Sequence, residues 1–206
     1  MEFVDVVKRR RMVRAYLDRP VPPELVDHLL DCATRAPSAG FSQGWGFVVL
    51  EGREQTSVFW EAVADPEWWD VPGSKGNRLA EAPVVILPFA DKQVYLDRYS
   101  EPDKQYAGMQ QEESWPVPFW LTDCAFAVEN LLLAATDVGL GALFFGLPFG
   151  HARLLEALGA PDRLQAIGAV TLGWPDPEDT KSPSLRRGRR SSDLVVHRGR
   201  WRDAAE

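Results

Sequence analysis

The sequence predicts a single domain of mixed class, α/β or α+β, and three observations carry that reading. Helical and strand-like patterns interleave along the 206 residues. The apolar share, 45%, is enough to build a real core at this length. No internal repeat or low-complexity block divides the chain.

The elements follow in order. Residues 2–9 suit a short helix that leads into the run Lys8-Arg9-Arg10-Arg11-Met12-Val13-Arg14. Pro22-Pro23-Glu24 supplies a helix start, with proline and an acid in the first turn. Leu25, Val26, Leu29, Leu30 and Ala33 then repeat at helical spacing, so the helix is expected to reach about Ala36, where Pro37 stops it. Phe47–Leu50 and Val84–Leu87 are short, β-branched runs of the kind buried strands have, with a helical piece near 53–64 between them. Residues 91–119 show no clean period, and that length without a pattern suggests a lid or insertion. From about Phe119 to Val138 the chain is apolar nearly all round a helix, which marks a core or subunit-interface helix ending at Gly139. A strand (142–145), a short helix (152–158), a strand (166–172) and a Pro/Ser/Arg-rich arm from Pro175 complete the domain.

The net charge of −7 argues against a nucleic-acid or anionic-membrane binder acting through its overall charge. The distribution says more than the sum. Six of the 23 Lys and Arg residues lie in residues 1–20 and eight in 181–202, so two basic ends are placed to meet one anion. Cys32 and Cys124 sit in apolar helical segments and read as free buried thiols suited to a reducing cytosol. The N terminus has no basic-then-apolar leader, and the apolar run 117–149 is broken by Asp123, Glu129, Asp137 and Pro148. Neither export nor membrane spanning is expected, and the location expected is cytoplasmic.

Arginine's planar fork matches phosphate oxygens, so Arg9, Arg10, Arg11 and Arg14 are candidates for an anion clamp as well as for a solvated charged face. Ala36-Pro37-Ser38-Ala39-Gly40-Phe41-Ser42-Gln43-Gly44-Trp45 joins a helix stop to small residues and an aromatic just before a strand. It is a turn, and its small residues also let backbone groups approach a flat ring closely.

At this point the sequence resembles the nitroreductase family. The opening Arg-Arg-Met-Val-Arg-Ala-Tyr, the Pro-Val-Pro helix start and the Ala-Pro-Ser-Ala-Gly-Phe-Ser-Gln-Gly-Trp turn agree with it in order and spacing. So do Glu81–Ile86, Asn130–Ala135 followed by Gly139-Leu140-Gly141, and Leu172-Gly173-Trp174-Pro175, whereas residues 51–120 match least. The resemblance implies an α+β fold with a mixed or antiparallel central sheet wrapped by helices, and a homodimer with FMN at each end of the subunit interface. It implies that NADH or NADPH reduces the flavin and that a small-molecule acceptor, a nitroaromatic or a quinone, reoxidises it in ping-pong fashion.

By the same resemblance, Arg10, Arg187 and Arg189 fall where the family grips the FMN phosphate, with Arg11 and Met12 beside them. Arg14 and Arg78 fall where cations meet the pyrimidine edge and favour the reduced flavin. Pro37, Ser38 and Ala39 match the loop given to the partner's flavin site, and Gly146-Leu147 the backbone over flavin N5. Met12, Phe41 and Gly44 depart from the commonest pattern, which has serine, asparagine and proline there. No catalytic acid or base is assigned, because the flavin carries the chemistry.

Eight tryptophans is a high count, and Trp60, Trp68, Trp69, Trp115 and Trp120 gather around the poorly matched middle. Core packing accounts for such residues. As a functional alternative, Phe41, Trp115, Phe119 and Trp120 are candidates to wall the substrate pocket. Gly139–Gly146 contains GxG but follows a helix and lacks the third glycine of a dinucleotide fingerprint. His28, His151 and His197 have no metal-ligand spacing, so no metal is expected. Competing readings are a family variant acting as an oxidase or dehydrogenase on a biosynthetic intermediate, and a non-catalytic flavin- or nucleic-acid-binding module using the basic ends and tryptophans.

Overall fold

The computed structural model describes residues 1–63, 76–147, 150–179 and 181–202; Trp68 and Trp69 lie outside them. Five strands make one sheet: β1 (Trp45–Glu51), β2 (Val84–Ala90), β3 (Gly141–Phe145), β4 (Gln165–Ala166) and β5 (Ala169–Gly173). The order is β1-β2-β5-β3, with β4 against the end of β2, and every ladder is antiparallel. Of the two classes open from the pattern, this is α+β.

All seven residues of β2 are buried, because helices cover both faces of the sheet. Val84 and Ile86 pack with α2 (Pro23–Thr34) and α6 (Phe119–Asp137). Val85, Leu87 and Phe89 point the other way, onto α3 (Gly52–Val63) and α7 (His151–Leu158), where Phe59 and Leu154 are fully buried. That two-sided cover is why the strand reads as an unbroken apolar run.

The helix α6 meets the length and hydropathy of a membrane span. Here it is a core helix on one side, burying Trp120, Ala127, Leu131 and Ala135, while Phe126 on the other side is exposed. The short α1 (Phe3–Arg9) packs on it and leaves Phe3, Val4 and Val7 exposed. After α1 the chain runs beside the sheet edge. Met12 makes a parallel bridge with Ala142, Val13 donates its N–H to the Ala142 carbonyl at 2.9 Å, and Tyr16 bridges to Pro175.

Two boundaries differ from the pattern reading. α2 ends at Thr34, since Arg35 and Ala36 form the closing turn before Pro37. The strand expected over 166–172 is divided into β4 and β5, and between them Ile167 donates to the Pro88 carbonyl at 3.1 Å. Residues 91–119, expected to be patternless, hold a helix, α5 (Lys92–Ser100), and short 3-10 turns at Gln105–Ala107 and Glu112–Ser114. α5 escapes a periodicity reading because only Tyr95 of its nine residues is fully buried.

Cys32 and Cys124 are free, one half-buried and one buried, and burial pushes the Cys124 thiol up to about 12.

Candidate functional site

The bridge between Met12 and Ala142 lays the arginine segment along β3, which leads to Gly146 and Leu147. Val13 and Ala15 are buried while Arg11, Met12 and Arg14 are half-buried, so the segment is anchored by its apolar residues and presents its cations. Met12 packs its side chain into the core beside α2 and α6.

The segment just after β5 organises these cations. Asp179, whose carboxylate is wholly buried, binds the Arg11 guanidinium and accepts the Arg14 backbone N–H at 3.0 Å. Asp176 binds Arg78, which lies on α4 (Gly76–Leu79) and also reaches Glu81 at 3.5 Å. The Glu178 backbone N–H and the Arg78 guanidinium hold the Asp176 carboxyl below the usual carboxylate range. Arg10 sits 3.5 Å from Glu129 of α6, and Arg9 is exposed. A cavity of about 410 Å³ beside this segment is lined by Arg9, Arg11, Val13, Gly141 and Pro175.

Gly146 is exposed, with nothing within 4 Å of where a Cβ would stand, and Leu147 packs against the core between the sheet and α3 and α7. Arg187 and Arg189 lie exposed on the C-terminal arm. No hydrogen bond or ion pair among the described residues ties either to Arg10 or Arg11, so the single chain does not itself join the two basic ends.

The second half of the candidate set is the turn from Pro37 to Gly44. Ala39–Phe41 form a 3-10 turn in which Gly40 has φ 62°, followed by left-handed Phe41 (φ 57°) and Gln43 (φ 56°). Phe41 is 75% exposed. Ser38 Oγ accepts the Gln43 N–H at 2.8 Å, and Asp123 accepts the Ala39 N–H at 2.7 Å. Gly44 is buried against α5, where a Cβ would lie 2.5 Å from the Tyr95 ring and 2.8 Å from the Asp91 carbonyl oxygen. That close approach accounts for glycine at a position where proline is frequent.

Trp115 and Trp120 are buried with Tyr95 and Cys124 in an aromatic cluster beneath this turn. Trp115 stands edge-on to Tyr95, Tyr99 and Trp120, and its indole N–H donates to the Met109 carbonyl at 2.9 Å. Phe119 is half-buried at the edge of the cluster, so of the four aromatic pocket candidates Phe41 alone presents most of its surface. Pattern reading did not single out Asp176, Asp179, Tyr95 or Asp123 for a site. The signal for Asp123 was a carboxylate among apolar residues in the first half of that helix, where Glu129 and Asp137 follow only later.

A model described as the Nitroreductase family matches residues 7–174. A relative from Archaeoglobus fulgidus, provisionally named as an NADH dehydrogenase/NAD(P)H nitroreductase, is 30% identical, with 97% of this chain and 99% of the relative covered. The NAD(P)H-linked FMN reductase of Bacillus subtilis is 24% identical over 89% of this chain and 70% of its own. Among solved structures, a provisionally named nitroreductase from Desulfovibrio desulfuricans, in complex with FMN, is 25% identical with a TM-score of 0.69, covering 96% of both chains.

Proposed function

The chain belongs to the nitroreductase family, and from that premise we propose that it is an FMN-dependent oxidoreductase which takes a hydride from NADH or NADPH and passes reducing equivalents to a nitroaromatic or quinone by ping-pong turnover. The observation that carries the reading is the parallel bridge between Met12 and Ala142, which sets half-buried arginines along the strand leading to the open backbone of Gly146.

The residues present fit a flat, phosphate-bearing cofactor. Arg11 keeps 37% of its side chain exposed although Asp179 binds it, and among the described residues Arg10 is held only by a 3.5 Å contact to an exposed glutamate. Both therefore have donors left for an anion. Bound FMN would supply the hydride chemistry. Arg10 and Arg11, with Arg187 and Arg189 brought in from the arm, would hold the phosphate. Arg14 and Arg78 would place positive charge by the flavin ring, and Asp176 fixes the direction of the Arg78 guanidinium. Gly146 offers its N–H without a side chain to exclude the ring.

A homodimer completes the arrangement. The exposed Phe3, Val4, Val7 and Phe126 give α1 and α6 an apolar outer face, and the Leu194–Val196 stretch and Trp201 of the arm are exposed as well. A second copy covering these would bring Pro37, Ser38 and Ala39 to the other subunit's flavin.

Anaerobic mixing of FMN-loaded protein with NADH or NADPH, followed by a panel of acceptors, tests the proposal. Flavin bleaching followed by reoxidation with nitroaromatics or quinones is the expected result. Bound flavin that neither nicotinamide reduces overturns the reductase and leaves a flavin binder, and colourless protein that refuses FMN overturns the flavin reading.

A further inference from the structure

Asp123 is a carboxylate on the core side of α6, 2% exposed, and no ion pair to it occurs among the described residues. Burying a carboxylate without a cation is unfavourable, and an apolar residue of similar volume would pack there at lower cost. Its hydrogen bonds show what it holds. One oxygen, Oδ2, accepts both the Ala39 N–H at 2.7 Å and the Tyr95 hydroxyl at 2.9 Å, and the Thr122 hydroxyl lies 3.4 Å from Oδ1.

Tyr95 is fully buried on α5, and burial keeps its phenol protonated well above the ordinary range, so it remains a donor. Its hydroxyl also meets Ser38 Oγ at 3.3 Å, and its ring packs against Gly44. Two residues further on the same helix finish the support. Arg98 donates from Nε to the Gly40 carbonyl at 3.0 Å, and the Tyr99 ring fills the space where a Gly40 side chain would stand.

The turn that is held in this way is conformationally expensive. Phe41 and Gln43 are both left-handed, a region L-residues other than glycine, asparagine and aspartate avoid by roughly 1–2 kcal/mol each. Left to itself, residues 38–43 would not keep this shape; α5 and α6 impose it.

We propose that Tyr95 and Asp123 are positioning residues of the flavin site, fixing Ser38 and Ala39 against the cofactor and aiming the exposed Phe41 at the acceptor. This rests on the reading above that the 37–39 turn touches FMN. Within the segment 91–119, α5 is thereby a buttress beneath the turn.

Three variants and two readouts test it: Tyr95→Phe, Asp123→Ala and Asp123→Asn, with amide hydrogen exchange at Ala39 and Gln43 measured on flavin-free protein, and FMN titration with acceptor kinetics on loaded protein. Tyr95→Phe and Asp123→Ala should speed exchange at both amides by about tenfold or more and weaken FMN by about tenfold, the scale of one buried hydrogen bond. Acceptor KM should rise more than kcat falls. Asp123→Asn, whose amide oxygen can still accept from Ala39 and Tyr95, should restore most of both. If Asp123→Ala does not fold, Tyr95→Phe decides alone, since it removes one hydroxyl and keeps the ring. Exchange unchanged in Tyr95→Phe overturns the proposal, and so does faster exchange with wild-type FMN affinity and acceptor KM. Wild-type protein that takes up no FMN overturns the flavin reading instead, and the exchange rates still report the network.

Discussion

Gly141→Ala is a one-methyl test of how the arginine segment is anchored. The added Cβ would stand 2.8 Å from Val13 Cγ1 and 2.9 Å from its Cβ and Cγ2. Val13 is 3% exposed and β-branched, so it has no free rotamer to turn into, and its backbone must move off β3. Overpacking of this kind costs about 1–3 kcal/mol, and straining the bond from the Val13 N–H to the Ala142 carbonyl adds about 1 kcal/mol. Loss of glycine's freedom in the unfolded chain returns about 0.4–1 kcal/mol. The net is about 2 kcal/mol, or a melting temperature lower by about 4–8 °C for a chain of this length. Gly146→Ala is the matched control: nothing lies within 4 Å of its Cβ position, so its melting temperature should stay near wild type. Thermal unfolding followed by circular dichroism on flavin-free protein reads both, and FMN titration should show Gly141→Ala weakened because Arg11 and Arg14 move with Val13. A Gly141→Ala protein that melts at or above the wild-type temperature refutes the argument from close packing.

The remaining predictions can be checked with the same protein. Arg10→Ala and Arg189→Ala should each weaken FMN by about tenfold or more, as expected for a lost charge-assisted phosphate contact; full affinity in both, by fluorescence titration, would remove them from the clamp. Phe41→Asn should raise stability by up to about 1 kcal/mol, since asparagine tolerates φ near 57°, and should raise acceptor KM; an unchanged KM would leave Phe41 out of the pocket. Tyr16 is buried with its hydroxyl 2.8 Å from both the Val13 carbonyl and Thr171 Oγ1, and burial raises its pKa. A raised folded pKa means its contribution is fully present below the ordinary tyrosine value of about 10 and is lost as pH climbs beyond it. Tyr16→Phe should therefore cost about 1–2 kcal/mol at neutral pH and flatten the alkaline limb of a stability–pH profile; an alkaline limb as steep as wild type would assign that limb elsewhere.

What the residues determined by themselves was local. The run Val84–Leu87 reads as a buried strand because β-branched residues fill a pleated surface, and the long stretch from Phe119 reads as a core or subunit-interface helix because it is apolar nearly all round at a length beyond that of a strand. Pro22-Pro23-Glu24 and Pro37 bracket α2 through fixed proline geometry. The arginine run and the small-residue turn were equally legible, since each is carried by neighbours in the chain. The sheet's antiparallel order and the company each charge keeps were decided only by the tertiary structure. Arg11 meets an acid 168 positions away, Arg78 one 98 positions away, and Ala39 finds its acceptor 84 positions along on α6. Periodicity and turn chemistry extend over a few residues, so they specify the elements. Which carboxylate faces which guanidinium or amide depends on how those elements stack around β2, and that emerges only when the helices close over both faces of the sheet.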